Sequence, residues 1–378
     1  VFFTVLLSVP FCCIGQTGDR EPNFSDSTRI QIAPYGSFRG HIAVLREQAE
    51  IQENASRIGF EFSVYKSNIR YFTGVELAIN LFRSAQLFNA DANTNSGFIK
   101  FDETQNLQVF STRLGYLGAD FGEYGILRIG KQWSVYYDIT GYTDRFNVFG
   151  GQGSATYVAS SDGGETGTGR ANQALTYRNK IGPLHLGGQL QMRSISNGFL
   201  FDGFALSAQL DILQGLKAGV AYNKSYFDDF LIENTLGFGN QPEYLALGVS
   251  YNSDHLLLGA VYANHTNGDL TRSVVEEELV AVVFDAKGFE LFGKFIQPKY
   301  SILAGFNGYF PDVEGLPISD DSKRLFYMIG AEYKPSRFAY LYSEYRFGTG
   351  VNSFGVTAPD VFTLGISLDR QRSWEKIL

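Results

Sequence analysis

The chain has 378 residues with an aromatic fraction of 15%, 42 glycines, ten prolines and two tryptophans, which resembles neither a disordered chain nor a helical one. Length alone does not choose between one large all-β unit and two or three ordinary domains. A net charge of −8, with no basic run anywhere, argues against a general nucleic-acid binder.

In chain order, residues 1–16 (VFFTVLLSVPFCCIGQ) are apolar and uncharged and end in small residues, as the rear of a secretory signal peptide does. The stretch is too short for a spanning helix. It holds both cysteines, Cys12 and Cys13, so its removal leaves a chain without disulfides. An exported protein of that kind needs another source of stability, and a closed hydrogen-bonded sheet is one.

From Pro34 to Asp369 the hydrophobic period is two, with no helical stretch of comparable length. In 57–65, Ile58, Phe60, Phe62 and Val64 oppose Arg57, Glu61 and Ser63; in 338–347, Ala339, Leu341, Tyr345 and Phe347 oppose Tyr340, Tyr342, Glu344 and Arg346. Each segment therefore has one greasy face and one wet face. A soluble sandwich would alternate too, but its connections should be uniformly short. Here short turns are expected at 66–68, 120–123, 179–182, 211–215, 252–255, 285–288 and 334–337. They alternate with longer loops at 46–54, 82–106, 133–169, 194–202, 223–241, 265–271, 297–323 and 348–359. Seven turns and eight loops separate sixteen strands. Strict short-long alternation is what a membrane imposes when all turns lie on one side and all loops on the other.

Segments of about ten residues cross a hydrocarbon layer when tilted. Backbone groups in lipid must pair within the sheet, so the set must close. The fold expected is an all-β, transmembrane antiparallel β-barrel of 16 strands spanning 17–370, wide enough to keep an aqueous channel. A mean hydropathy of −0.09, far below that of a helical membrane protein, fits such a two-faced wall. The connection 133–169 is too long to be idle. It is the third loop of eight, flanked by arginines at 113 and 170.

Two blocks, TRLGYLGADFGEYGILRIGKQWSVYYDITGYTD (112–144) and GRANQALTYRN (169–179), supported by SRIGFEF (56–62) and YGSFRG (35–40), resemble the general, non-specific porins of Gram-negative outer membranes. Elsewhere only the strand pattern agrees. The resemblance implies a homotrimer set in outer-membrane lipid and lipopolysaccharide, a third loop folded into the lumen as a constriction, passage of small hydrophilic solutes and ions, and no cofactor. It also implies a basic wall facing an acidic loop. Arg57, Arg113 and Arg170 match the wall, and Asp144 matches one loop acid.

The departures from that pattern matter equally. The run DRFNVFGG adds Arg145, puts Val148 where relatives carry a second acid, and is followed by Gln152 at another position that is often acidic. Ser37 stands in place of a wall lysine, with Arg39 two residues on and on the same face. With loop acids lost and wall cations kept, a weakly anion-selective or nearly unselective pore is expected, unless Asp138, Asp162 or Glu165 point into it. Arg128, Lys131 and Arg346 have a simpler reading, as solvated strand residues. Arg370 falls where an aromatic terminal residue would stand, so 371–378 reads as an extension.

Other functions remain as rivals. An outer-membrane enzyme needs a nucleophile or acid pair with a positioned histidine, and His41, His185, His255 and His265 are scattered without metal-ligand spacing. A substrate-specific channel for anions or sugars would show a basic run along the loop or an aromatic slide on the wall. A structural or adhesive barrel would hold 133–169 outside the lumen.

Overall fold

The computed structural model describes residues 28–82, 86–90, 100–103, 109–158, 161–193, 200–371 and 374–377. The expected signal peptide, 1–16, lies outside the described residues. Twenty strands form: β1 (Arg29–Leu45), β2 (Gln48–Glu53), β3 (Arg57–Lys66), β4 (Ile69–Ile79), β5 (Gln86–Asn89), β6 (Lys100–Glu103), β7 (Phe110–Asp120), β8 (Ile126–Trp133), β9 (Arg170–Ile181), β10 (Leu184–Gln191), β11 (Gly203–Leu213), β12 (Leu216–Ser225), β13 (Glu243–Asn252), β14 (Leu256–Val275), β15 (Glu278–Ile296), β16 (Tyr300–Asp312), β17 (Arg324–Tyr333), β18 (Ala339–Gly348), β19 (Val361–Gln371) and β20 (Trp374–Ile377). Sixteen of them, all but β2, β5, β6 and β20, make a closed antiparallel wall. Closure runs from Tyr35 opposite Gln371 to Leu45 opposite Val361, which leaves the wall no edge strand.

The period-two pattern decides which side chain faces where. In β19, Phe362, Leu364, Ile366 and Leu368 are exposed outward, while Val361, Thr363 and Ser367 between them are fully buried. The same alternation around the sheet gives a continuous apolar belt on the outside. Exposed aromatics rim it at both ends, Tyr124, Tyr177, Tyr300 and Tyr333 near the turns and Phe110, Phe289, Phe310 and Tyr327 near the loops.

Six of the seven expected turns fall where the sequence placed them. The stretch 256–323 does not follow the expected segmentation. β14 runs through 265–271, with a register shift between His265 and Asp269, and β15 runs through 285–288. Their hairpin turns at Glu276 and Glu277, both at positive φ (50° and 69°). Such a two-residue turn ordinarily advertises itself with Asn-Gly or Asp-Gly, so a Glu-Glu pair hides it, while the Asn-Gly at 267–268 is spent on a bulge. The missing turn lies at 297–299 and the loop that follows covers 313–323, so the strand total is unchanged. Loop 46–54 holds β2, folded back on β1. The loop at 82–106 holds a β5–β6 hairpin among its described residues. Beyond the last barrel strand, β20 pairs with Arg29–Ile32 of β1.

Candidate functional site

Glu76, on the inward face of β4, organises one side of the barrel. Arg113 Nε donates to its Oε1 at 2.7 Å, the Tyr35 hydroxyl donates to Oε2 at 2.8 Å, and Arg57 Nε lies 3.9 Å from Oε2. A register shift between β4 and β7 at Glu76 and Leu77 inserts Arg113 as an extra residue, and a bulge of this kind re-aims a side chain. Two of the expected basic residues are thus brought to one carboxylate. The third, Arg170, opens β9 opposite Trp133, lies 5.6 Å over its ring, and meets a different acid: its Nε is 3.1 Å from Asp162 Oδ2. Lys131 Nζ reaches the same oxygen at 2.9 Å. Burial pushes the Asp162 carboxyl up, but the charges of Arg170 and Lys131 outweigh that and hold it below the usual carboxylate range. Arg39 lies at the closing seam, its Nε donating to Ser37 Oγ at 2.6 Å and its guanidinium 3.7 Å from Asp369 of β19.

The third loop, residues 134–169, leaves β8 through a one-turn helix, Tyr137–Thr140, whose first amide donates to Ser134 Oγ at 3.0 Å. Asp144 is turned into the loop. It accepts from the hydroxyls of Tyr137 (2.8 Å) and Tyr157 (2.7 Å) and from the Gly151 amide (3.1 Å), and is only 8% exposed. Arg145 follows, its amide donating to Thr143 O at 2.9 Å and its side chain partly exposed.

The loop is fastened to side chains that point into the barrel from β11 and from β15 to β18. Glu290 of β15 accepts from the amides of Gly153 and Ser154, both at 2.7 Å, and from the Thr143 hydroxyl. Glu344 of β18 accepts from the amides of Asn147 (2.6 Å), Val148 (2.9 Å) and Phe149 (3.4 Å). Tyr142 donates to Gln209 of β11, Asn307 of β16 to Gly150 O, and Arg324 of β17 to Gln152 O. At Gly288 a Cβ would run into the Gly153 carbonyl, so glycine lets the loop backbone lie against the strand. Phe146 stacks edge-on against Phe292 at 5.3 Å, inside a cluster with Val148, Phe149, Leu303 and Tyr342.

The acids whose direction the sequence left open all meet cations. Asp138 takes Arg178 at two oxygens (3.0 and 3.1 Å), Asp162 takes Arg170 and Lys131, and Glu165 takes Arg193 at 2.6 Å. The acids that sequence reasoning passed over are Glu76 and Glu290, with Glu344 noted there only for its wet face. Their signal was present, since each is a carboxylate at the wet parity of a greasy strand. Val148, standing where an acid was expected, instead lends its amide to one. Among the described residues no cluster of three or more His, Cys, Asp or Glu is placed to hold a metal ion.

A sixteen-strand barrel that is apolar outside, polar within, and carries a long loop tied to its inward side chains belongs to the class of transmembrane β-barrels. The Gram-negative porin family profile matches residues 45–366, and the chain belongs to that family. It is similar to outer membrane protein F of Serratia marcescens, 31% identical over 175 residues, which are 44% of this chain and 45% of that protein. Outer membrane porin F of Xenorhabdus nematophila is 26% identical over 282 residues, 68% of this chain and 74% of the relative. Among solved structures, OmpF of Salmonella typhi in complex with daunomycin superposes with a TM-score of 0.71 at 18% identity, over 92% of this chain and 99% of the other. An anion-selective porin from Comamonas acidovorans superposes at 0.61 and 14% identity, over 90% and 100%. The matched region thus spans under half the length of the Serratia relative.

Proposed function

We propose that this protein is a water-filled channel of the outer membrane for passive diffusion of small hydrophilic solutes and ions, narrowed by residues 134–169. The observation that carries this reading is the pair of wall carboxylates, Glu290 and Glu344, which hold five backbone amides of the loop against strands far from its own ends. A loop fixed at its far side narrows a passage, whereas one attached only at its ends would swing clear. Arg57, Arg113, Arg170 and Arg39 line the wall of the constriction, and Asp144 with Arg145 belong to the loop that faces them.

The same reading includes the barrel unit 17–370 behind a cleaved leader, 1–16, a short extension at 371–378, and a homotrimer embedded in lipid and lipopolysaccharide. Planar-bilayer recording of the refolded protein tests it. Stable KCl conductance, closing in steps of three, is expected; a protein that inserts and passes no current overturns the channel.

Charge at the neck is close to balanced. Glu76 is shared by two arginines and Asp162 by Arg170 and Lys131, while opposite them Glu290 and Glu344 are spent on loop amides. Opposed charges across a low-dielectric neck orient dipolar solutes, and balance between them leaves little net preference. The expected reversal potential in a KCl gradient is small and of the sign for anions. A clear cation preference sinks this assignment without touching the channel itself.

A further inference from the structure

The inward face of β3, β4, β7, β8 and β9 carries six arginines: Arg57, Arg70, Arg113, Arg128, Arg170 and Arg178. Five of them have a carboxylate at ion-pair distance, Glu76 for Arg57 and Arg113, Glu61 and Asp120 for Arg70, Asp162 for Arg170, and Asp138 for Arg178. Arg128 has none among the described residues. Its side chain donates no hydrogen bond to the described residues, and its Nε is buried without a partner. Instead its guanidinium lies 5.3 Å from the Phe72 ring centre and 5.2 Å from that of Tyr116.

Its setting is built rather than incidental. Arg128 is partly exposed, on the face of β8 opposite the outward Leu127 and Ile129. It sits between Gly118 on β7 and Thr176 on β9, and the Phe72 ring covers Gly118, where any Cβ would collide with it. Arg70 lies over the same Phe72 ring at 4.5 Å, yet its charge is met by Glu61 and Asp120. Arg178 is held by Asp138 and by the Trp133 carbonyl. Glu61, the acid nearest to Tyr116, receives Arg70 at 2.9 Å and the Tyr116 hydroxyl at 3.5 Å. The neighbouring carboxylates are therefore engaged, Glu61 acts on Arg128 only at a distance, and the cation left without a contacting carboxylate among the described residues is a planar guanidinium braced by two aromatic rings. Such a group presents its N–H edge to a planar anion and its surroundings to a flat apolar body.

We propose that Arg128, with the Tyr116 and Phe72 rings, forms a binding site on the channel wall for small carboxylates that carry a flat apolar group. The site rests on the channel reading and names a solute class for it. A carboxylate there supplies the contacting counter-charge that this half-buried cation lacks among the described residues, while its ring lies along Tyr116.

The test is benzoate block of single-channel KCl current in bilayers, with acetate as the comparator lacking a ring. In the wild type, benzoate is expected to lower the current saturably and at lower concentration than acetate. Arg128→Gln should raise the half-blocking concentration by about tenfold, equivalent to about 1.4 kcal/mol, while leaving the KCl conductance itself within about a factor of two, since one of several wall charges is removed. Arg128→Lys keeps the charge without the fork and should fall between the two; it also serves if the glutamine variant fails to insert. Equal block in wild type and variants, or no block in a conducting wild-type channel, overturns the site alone. A wild-type protein without KCl conductance overturns the channel, and the site with it.

Discussion

At the scale of single residues, the decisive side chains are carboxylates that do unlike jobs. Asp144 braces the loop from within, Glu76 gathers two arginines, and Glu344 receives three consecutive loop amides. Hydrogen bonds to a charged acceptor contribute about 1.5–3 kcal/mol each, and stranded partners cost more than the bond was worth. Glu344→Ala is therefore expected to destabilise the folded channel by about 3 kcal/mol and to make the open current larger and noisier. Thermal melting of the β-structure with single-channel recording checks both, and an unchanged current would show that the loop is held elsewhere. The sequence singles out Arg57, Arg113, Arg170 and Arg39 by short motifs and wet strand parity, and Asp144 by its loop motif alone. It did not reveal that Arg113 and Arg57 share Glu76, because that meeting depends on a bulge, and bulges carry no compositional mark.

At the scale of elements, the third loop is fixed at one end by an ion-pair triad and at its middle by the opposite wall. In the triad, Asp162 is held below its ordinary range by Arg170 and Lys131. A carboxylate with a depressed folded value contributes stability at pH above its unfolded value and loses it as pH falls through the folded one. At neutral pH the triad is intact; in acid, below the ordinary aspartate range, Asp162 takes a proton and leaves two cations unmatched. Anion preference should accordingly rise as pH falls, and Asp162→Asn should show the raised preference already at pH 7. Reversal potentials of both proteins across pH decide it; parallel curves without offset would remove Asp162 from the selectivity machinery. Loop length and place were readable at this scale because a structureless connection stands out between periodic strands. The β14–β15 hairpin was not, because its turn carries glutamates at positive φ and its apparent turn signal is a bulge.

At the scale of the whole molecule, the barrel inverts a soluble protein, with grease outside and charge within. Ile329 is 53% exposed on the outer belt of β17, and an arginine there should cost about 2–4 kcal/mol if it lies near mid-bilayer. Ile329→Arg is thus expected to lower the yield of inserted protein from detergent into vesicles, and normal insertion would place β17 outside the lipid belt. Strand number and sidedness were legible because alternation repeats along the entire chain, whereas the pairing of loop to wall was not, since its partners lie far apart in sequence. That separation has a consequence in time. Asn147 and Glu344 are 197 residues apart, and Thr143 and Glu290 are 147 apart. Contacts over such distances form only after the intervening chain is in place. A nascent barrel must therefore bring in strands β15 and β18 before Glu290 and Glu344 can fasten the middle of the loop, so the narrowing of the passage is completed late.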